Sequence, residues 1–150
     1  MKESLLSLCA LFLLSSCHHQ NKVTDVGGTK TLITDVRSGG IVDQYLLPPY
    51  KSGAHWVELR KVYDSSSVPG PSEPTLYIIV PLSRTLPSST KEEVEMDNEA
   101  LRKLEDVYPK LKNLLEQGQQ VDISSLVVPG TIPYYGIQKS EKVFLIVGKM

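Results

Sequence analysis

Apolar residues fall into short runs divided by proline, glycine and serine clusters, and in one stretch they recur at three- and four-residue spacing. Ile41 to Leu47 is a run that predicts a strand, stopped by Pro48-Pro49, with Tyr50-Lys51-Ser52-Gly53 as a turn. His55 to Tyr63 alternates, placing Val57, Leu59 and Tyr63 on one face and Trp56 and Val62 on the other, beside Glu58 and Arg60. Asp64 to Pro74 is rich in serine, proline and glycine and reads as a loop. Thr75 to Leu82 is apolar and β-branched at its centre, the pattern of a strand covered on both faces.

A helix is predicted over about 90–117. Thr90 and Glu93 fit a capping box, acidic residues crowd the first turns, and Val94, Leu101, Leu104, Tyr108, Leu111 and Leu115 make an apolar stripe. Glu99 with Lys103 and Asp106 with Lys110 stand four apart, as exposed ion pairs do. Pro109 lacks an N–H and clashes with the preceding turn, so the helix must bend or divide near Tyr108, and Gly118 ends it. Val121 to Val128 reads as a further strand. Pro133 to Ile137 and Val143 to Val147 form a hairpin across Gln138 to Lys142. The expected fold is α+β: a small mixed or antiparallel sheet packed on one long or proline-kinked helix.

Upstream, Leu5 to Leu14 is an apolar run of about ten residues, where a bilayer span needs roughly 20. With Lys2 before it, it has the form of a signal-peptide core. The run ends in Leu14-Ser15-Ser16-Cys17, which resembles the lipobox of bacterial lipoproteins: an aliphatic residue three before the cysteine and small residues between. The resemblance covers only this segment. It implies cleavage before Cys17, a diacylglyceryl group on the Cys17 thiol and acylation of the new amine. Two or more acyl chains, each buried CH₂ contributing about 0.8 kcal/mol, anchor a protein stably. The class also implies outer-membrane residence in a diderm host, because His18 rather than aspartate follows the cysteine. The resulting division is a signal peptide over 1–16, a lipid-anchored flexible spacer over 17–40, with Lys30 to Thr34 its one strand-like stretch, and a single α+β domain over 41–150.

Charge then narrows the function classes. The 150 residues carry 16 Lys+Arg against 17 Asp+Glu, and loss of residues 1–16 removes one of each sign, so the balance stays at -1. That is no footprint for a nucleic-acid binder. Cys9 would leave with the signal and Cys17 would carry lipid, which removes disulfide and thiol chemistry from the mature chain. No cofactor is implied. His18 and His19 are adjacent and lack partners for a metal site. Gly27-Gly28-Thr29-Lys30 opens no helix, as a phosphate loop would. The serines Ser65, Ser66, Ser67, Ser88 and Ser89 lie in loop composition with no nucleophile elbow. Glu92, Glu93, Glu95 and Asp97 suit a helix start better than acid–base work.

Proline–tyrosine segments remain: Tyr45, Pro48, Pro49 and Tyr50, then Tyr134 and Tyr135, with Trp56 between. Rigid rings and prolines bind partners with little loss of rotamer freedom. The leading expectation is a non-catalytic, lipid-anchored envelope protein that presents its domain to an envelope protein partner, as an assembly or stabilising subunit or as an accessory lipoprotein of a secretion or conjugation system. A small-ligand or cell-wall binding module is a second expectation, and an enzyme using His55 as general base a third. Oligomeric state is left open.

Overall fold

A computed structural model describes residues 22–26, 29–36, 40, 42–63 and 74–149 of the chain. The signal segment, Cys17 and nearly all of the 64–74 loop lie outside the described residues. Among the described residues, seven strands form one sheet: β1 (Lys22–Val26), β2 (Thr29–Val36), β3 (His55–Tyr63), β4 (Thr75–Pro81), β5 (Gln119–Gln120), β6 (Thr131–Lys139) and β7 (Lys142–Lys149). Their spatial order is β1-β2-β3-β4-β7-β6-β5, and every neighbouring pair is antiparallel. Helices α1 (Val42–Tyr45), α2 (Asn98–Val107) and α3 (Leu111–Gln117) complete the α+β fold.

The sheet has a core on each face. Trp56, Leu76, Ile78, Val80, Val143 and Leu145 point to the first, with α1 and the segments around Leu82, Leu86 and Leu126 packed over them. Val57, Tyr77, Ile79, Ile137, Phe144 and Ile146 point to the second, beneath Ala100 and Leu104 of α2 and Leu111 and Leu114 of α3. Side chains alternate across a strand, so β4 and β7 must be apolar at consecutive positions, as they are.

The antiparallel form of the sheet, β3, β4, the β6–β7 hairpin and the break at Pro109 match the sequence pattern. The hairpin strands run further than expected, so Ser140 and Glu141 alone connect them. After Pro109 the chain turns through a Leu111 N–H bond to the Tyr108 carbonyl (2.9 Å). Gly118 ends α3 in an extended conformation (φ -78°, ψ 165°) rather than a left-handed one; a Cβ there would collide with Ile137 and the Leu114 carbonyl.

Three expectations change. Ile41 to Leu47 is not a strand: Val42, Tyr45 and Leu46 have helical spacing, and all three are buried on the first core through the turn α1. The long helix begins at Asn98, not near Thr90. Asp97 is the better cap, its carboxylate accepting the N–H groups of Glu99 (3.0 Å) and Ala100 (2.9 Å). The segment before it is tied down instead, by Ser89 N–H to the Gln120 carbonyl (3.1 Å) and Gln120 Nε2 to the Lys91 carbonyl (2.5 Å). Val121 to Val128 is a looped segment. Asp122 accepts the Ser124 amide (2.9 Å) and Leu126 N–H bonds back to Ile123 (2.9 Å), so the chain turns where a strand would run on. Strands β1 and β2 fall within 17–40, and β2 pairs with β3 from Thr29↔Tyr63 to Val36↔Trp56.

Candidate interaction surface

The seven aromatic and proline residues singled out in the sequence separate into inside and outside. Tyr45 (2% exposed), Trp56 (3%) and Tyr135 (8%) belong to the cores and are not presented to a partner. Tyr45 follows Val42 by one helical step, and Trp56 and Tyr135 occupy inward strand positions. The Trp56 indole N–H and His55 Nδ1 are buried with no hydrogen-bond partner. Burial first, then the nearby Glu58 carboxylate, raises the Tyr45 phenol above its usual value, against the pull of Arg60. Glu58 itself is buried and accepts two bonds from Arg60, at 2.6 and 2.9 Å. Tyr134 is half-buried on the second core.

Pro48 and Pro49 are exposed, and Tyr50 is half-buried. Two prolines fix φ, and the chain closes a 3₁₀ turn over Pro48–Tyr50 with Tyr50 N–H bonded to the Leu47 carbonyl (2.9 Å). Arg84 holds the ring. Its Nη2 donates to the Tyr50 hydroxyl (2.9 Å) and to Ser125 Oγ (3.1 Å), with the guanidinium carbon 5.7 Å from the ring centroid. Arg84 is positioned in turn by Gln138, a buried amide whose Nε2 donates to the Arg84 carbonyl (2.6 Å) and whose Oε1 accepts the Leu86 N–H (2.8 Å). Arg84, Ser125 and Gln138 carry no local motif. They lie 34 or more residues from the turn or segment they support, and sequence reading missed them.

Beyond this patch, at the strand end marked by Ser140, a cleft of about 720 Å³ opens between the α2–α3 junction and the hairpin. Lys110, Lys139 and Lys142 line it, with Glu141 the one carboxylate among its lining residues. Lys139 is spent on the side-chain oxygens of Asn113 and Gln117. A smaller cleft of about 260 Å³, which shares Lys139 and Ser140, is lined by the amides Gln117, Gln119 and Gln138. Near the opposite strand end, a cleft of about 420 Å³ holds Glu95, Asp97 and Glu99 beside Tyr77.

Among the described residues, no group of three or more His, Cys, Asp or Glu side chains is placed to hold a metal ion, and no helix is long and apolar enough to cross a membrane. Asp122 is engaged by the Ser124 hydroxyl (2.5 Å) and amide, which hold its carboxyl below the usual range. Searches of family models, curated proteins and solved structures find no match to this chain.

Proposed function

We propose that this chain is a lipid-anchored cell-envelope protein, non-catalytic, whose α+β domain binds an envelope protein partner and serves as an assembly or stabilising subunit of a larger complex, with the accessory lipoproteins of secretion or conjugation systems as the nearest class. The lipobox-like Leu14-Ser15-Ser16-Cys17 supports the anchor, and His18 supports the outer membrane with the domain facing the periplasm. The binding site is the patch where Pro48, Pro49 and Tyr50 meet Arg84. The observation that carries it is the clamp on Tyr50: an exposed proline turn whose ring is already held by a guanidinium loses little freedom on binding.

The test places a photo-crosslinking side chain at Pro49 in the native host, with Glu105 on α2 as the control position. A discrete adduct from position 49, absent from position 105 and weakened by Arg84→Ala, is the expected result. Equal labelling at both positions, or none at 49, sinks the site. Loss of lipid labelling in Cys17→Ser is expected for the anchor; retained labelling removes it. The amide-lined 260 Å³ cleft favours a second reading, a cell-wall fragment as ligand. Thermal stabilisation by muropeptides, lost in Gln119→Leu, is its signature.

A further inference from the structure

We infer that the cleft between α3 and the β6–β7 hairpin is a binding site for a phosphomonoester group; the inference depends neither on Cys17 nor on the Tyr50 patch. Ser140 and Glu141 alone join β6 to β7, with Ser140 in the left-handed region (φ 51°). So short a connection fixes the register, and Lys139 and Lys142 stand directly opposite each other. The Cβ atoms of such a pair lie about 4.5–5.5 Å apart, where like charges destabilise a sheet. Each lysine is two residues from a side chain of the second core, Ile137 and Phe144, so both lie on the face that carries α3. Lys110, the residue before α3, lines the same cleft.

The fold holds these charges in place without neutralising them. Lys139 donates to Asn113 Oδ1 and Gln117 Oε1, neutral oxygens one turn apart on α3, which leaves a third N–H for a ligand. Among the described residues, no carboxylate lies within ion-pair distance of Lys110, Lys139 or Lys142, Asp106 and the lining Glu141 included. Lys112, by contrast, has Glu116 at 3.7 Å. A phosphomonoester fits three ammonium groups in charge and in number, with about −1.5 to −2 at neutral pH and three acceptor oxygens. A carboxylate ligand would bring a single charge. The cleft volume of about 720 Å³ falls in the range of ligand sites, roughly 300–1,000 Å³, and leaves room for the molecule that bears the phosphate.

The test titrates the full chain, in micelles of neutral detergent, with inorganic phosphate at constant ionic strength and follows backbone amide shifts. Saturable shifts at Ser140, Glu141 and Lys142 are expected, with none from acetate. Lys110→Gln/Lys142→Gln should weaken binding by about tenfold or more, as loss of charge-assisted bonds does. Lys112→Gln should leave it unchanged. Without phosphate the double variant should be at least as stable as the parent, because it removes a like-charge pair. Short-chain phosphatidic acid and phosphatidylglycerol, added to the same micelles, separate the sources. Tighter binding of phosphatidic acid than of inorganic phosphate, lost in the double variant, assigns a lipid headgroup; no such gain assigns a soluble phosphomonoester. Shifts that fail to saturate, that persist in the double variant, or that phosphatidylglycerol matches in full overturn the site.

Discussion

The ring of Tyr134 lies on Gly148 of the neighbouring strand: a Cβ at Gly148 would stand 2.6 Å from the Tyr134 hydroxyl and 2.9 Å from Cζ. Gly148 sits between Ile132 and Thr75 in the sheet interior, where glycine is usually a weakness. Here the bulge after Pro133 turns Tyr134 onto the bare backbone. Gly148→Val should displace the ring and cost about 1–3 kcal/mol in urea unfolding, the range for an overpacked core. In Tyr134→Ala the same change should cost less, and a double-mutant cycle reads the coupling.

Asp97 holds the start of α2 through two backbone N–H groups and accounts for the displaced helix boundary. Asp97→Ala should lower stability by about 0.5–2 kcal/mol. Asp97→Asn, which keeps an acceptor, should recover most of it; denaturant midpoints at constant slope check both.

Gln138 is the polar residue on which the first core depends. Gln138→Leu leaves the Leu86 N–H and the Arg84 carbonyl without this partner, at about 1–3 kcal/mol for a buried polar group left unmade. The same change should loosen the Tyr50–Arg84 contact, seen as a chemical-shift change at Tyr50, because Arg84 loses its backbone anchor.

Burial raises the phenols of Tyr45, Tyr77 and Tyr135 in the folded state; at Tyr77 the Asp97 N–H bond opposes the shift in part. A raised folded value means the fold favours the neutral form. Their contribution is therefore complete below the unfolded value, about 10, and is lost as pH rises from there through the folded values. At the acid end Asp122 acts in the opposite sense. Its carboxyl is lowered by Ser124, so its small contribution is present above the unfolded value and lost as pH falls through the folded one. Spectrophotometric titration of the folded protein should show Tyr45, Tyr77 and Tyr135 ionising above the unfolded value, about 10. Ser124→Ala should flatten the acid limb of the stability curve.

Elements defined by local chemistry were legible in the sequence. β3 and β4 are alternating or β-branched runs between breakers, and Pro109 divides the helix because its ring cannot do otherwise. Segments decided at a distance were not. Seven residues from Ile41 to Leu47 fit a period of two or of 3.6, and burial of Val42, Tyr45 and Leu46 against the first core settles it. Thr90 offers a cap that Gln120 and Tyr77 override by holding the chain extended up to Asp97. At the surface, rigidity in the Pro48–Tyr50 turn was visible, but Trp56 and Tyr135 look the same in sequence whether buried or presented. The Arg84 contact joins residues 34 apart and leaves no local trace.

Among the described strands β7 comes last in sequence, yet it lies inside the sheet between β4 and β6. Phe144 and Ile146 fill one core while Val143 and Leu145 fill the other. Until these residues are in place, β4 lacks its β7 partner and neither core can close. Closure of both layers therefore waits on pairings between residues far apart in sequence, Thr75 with Gly148 among them, and the loop entropy lost before those contacts form slows folding relative to a fold of local contacts.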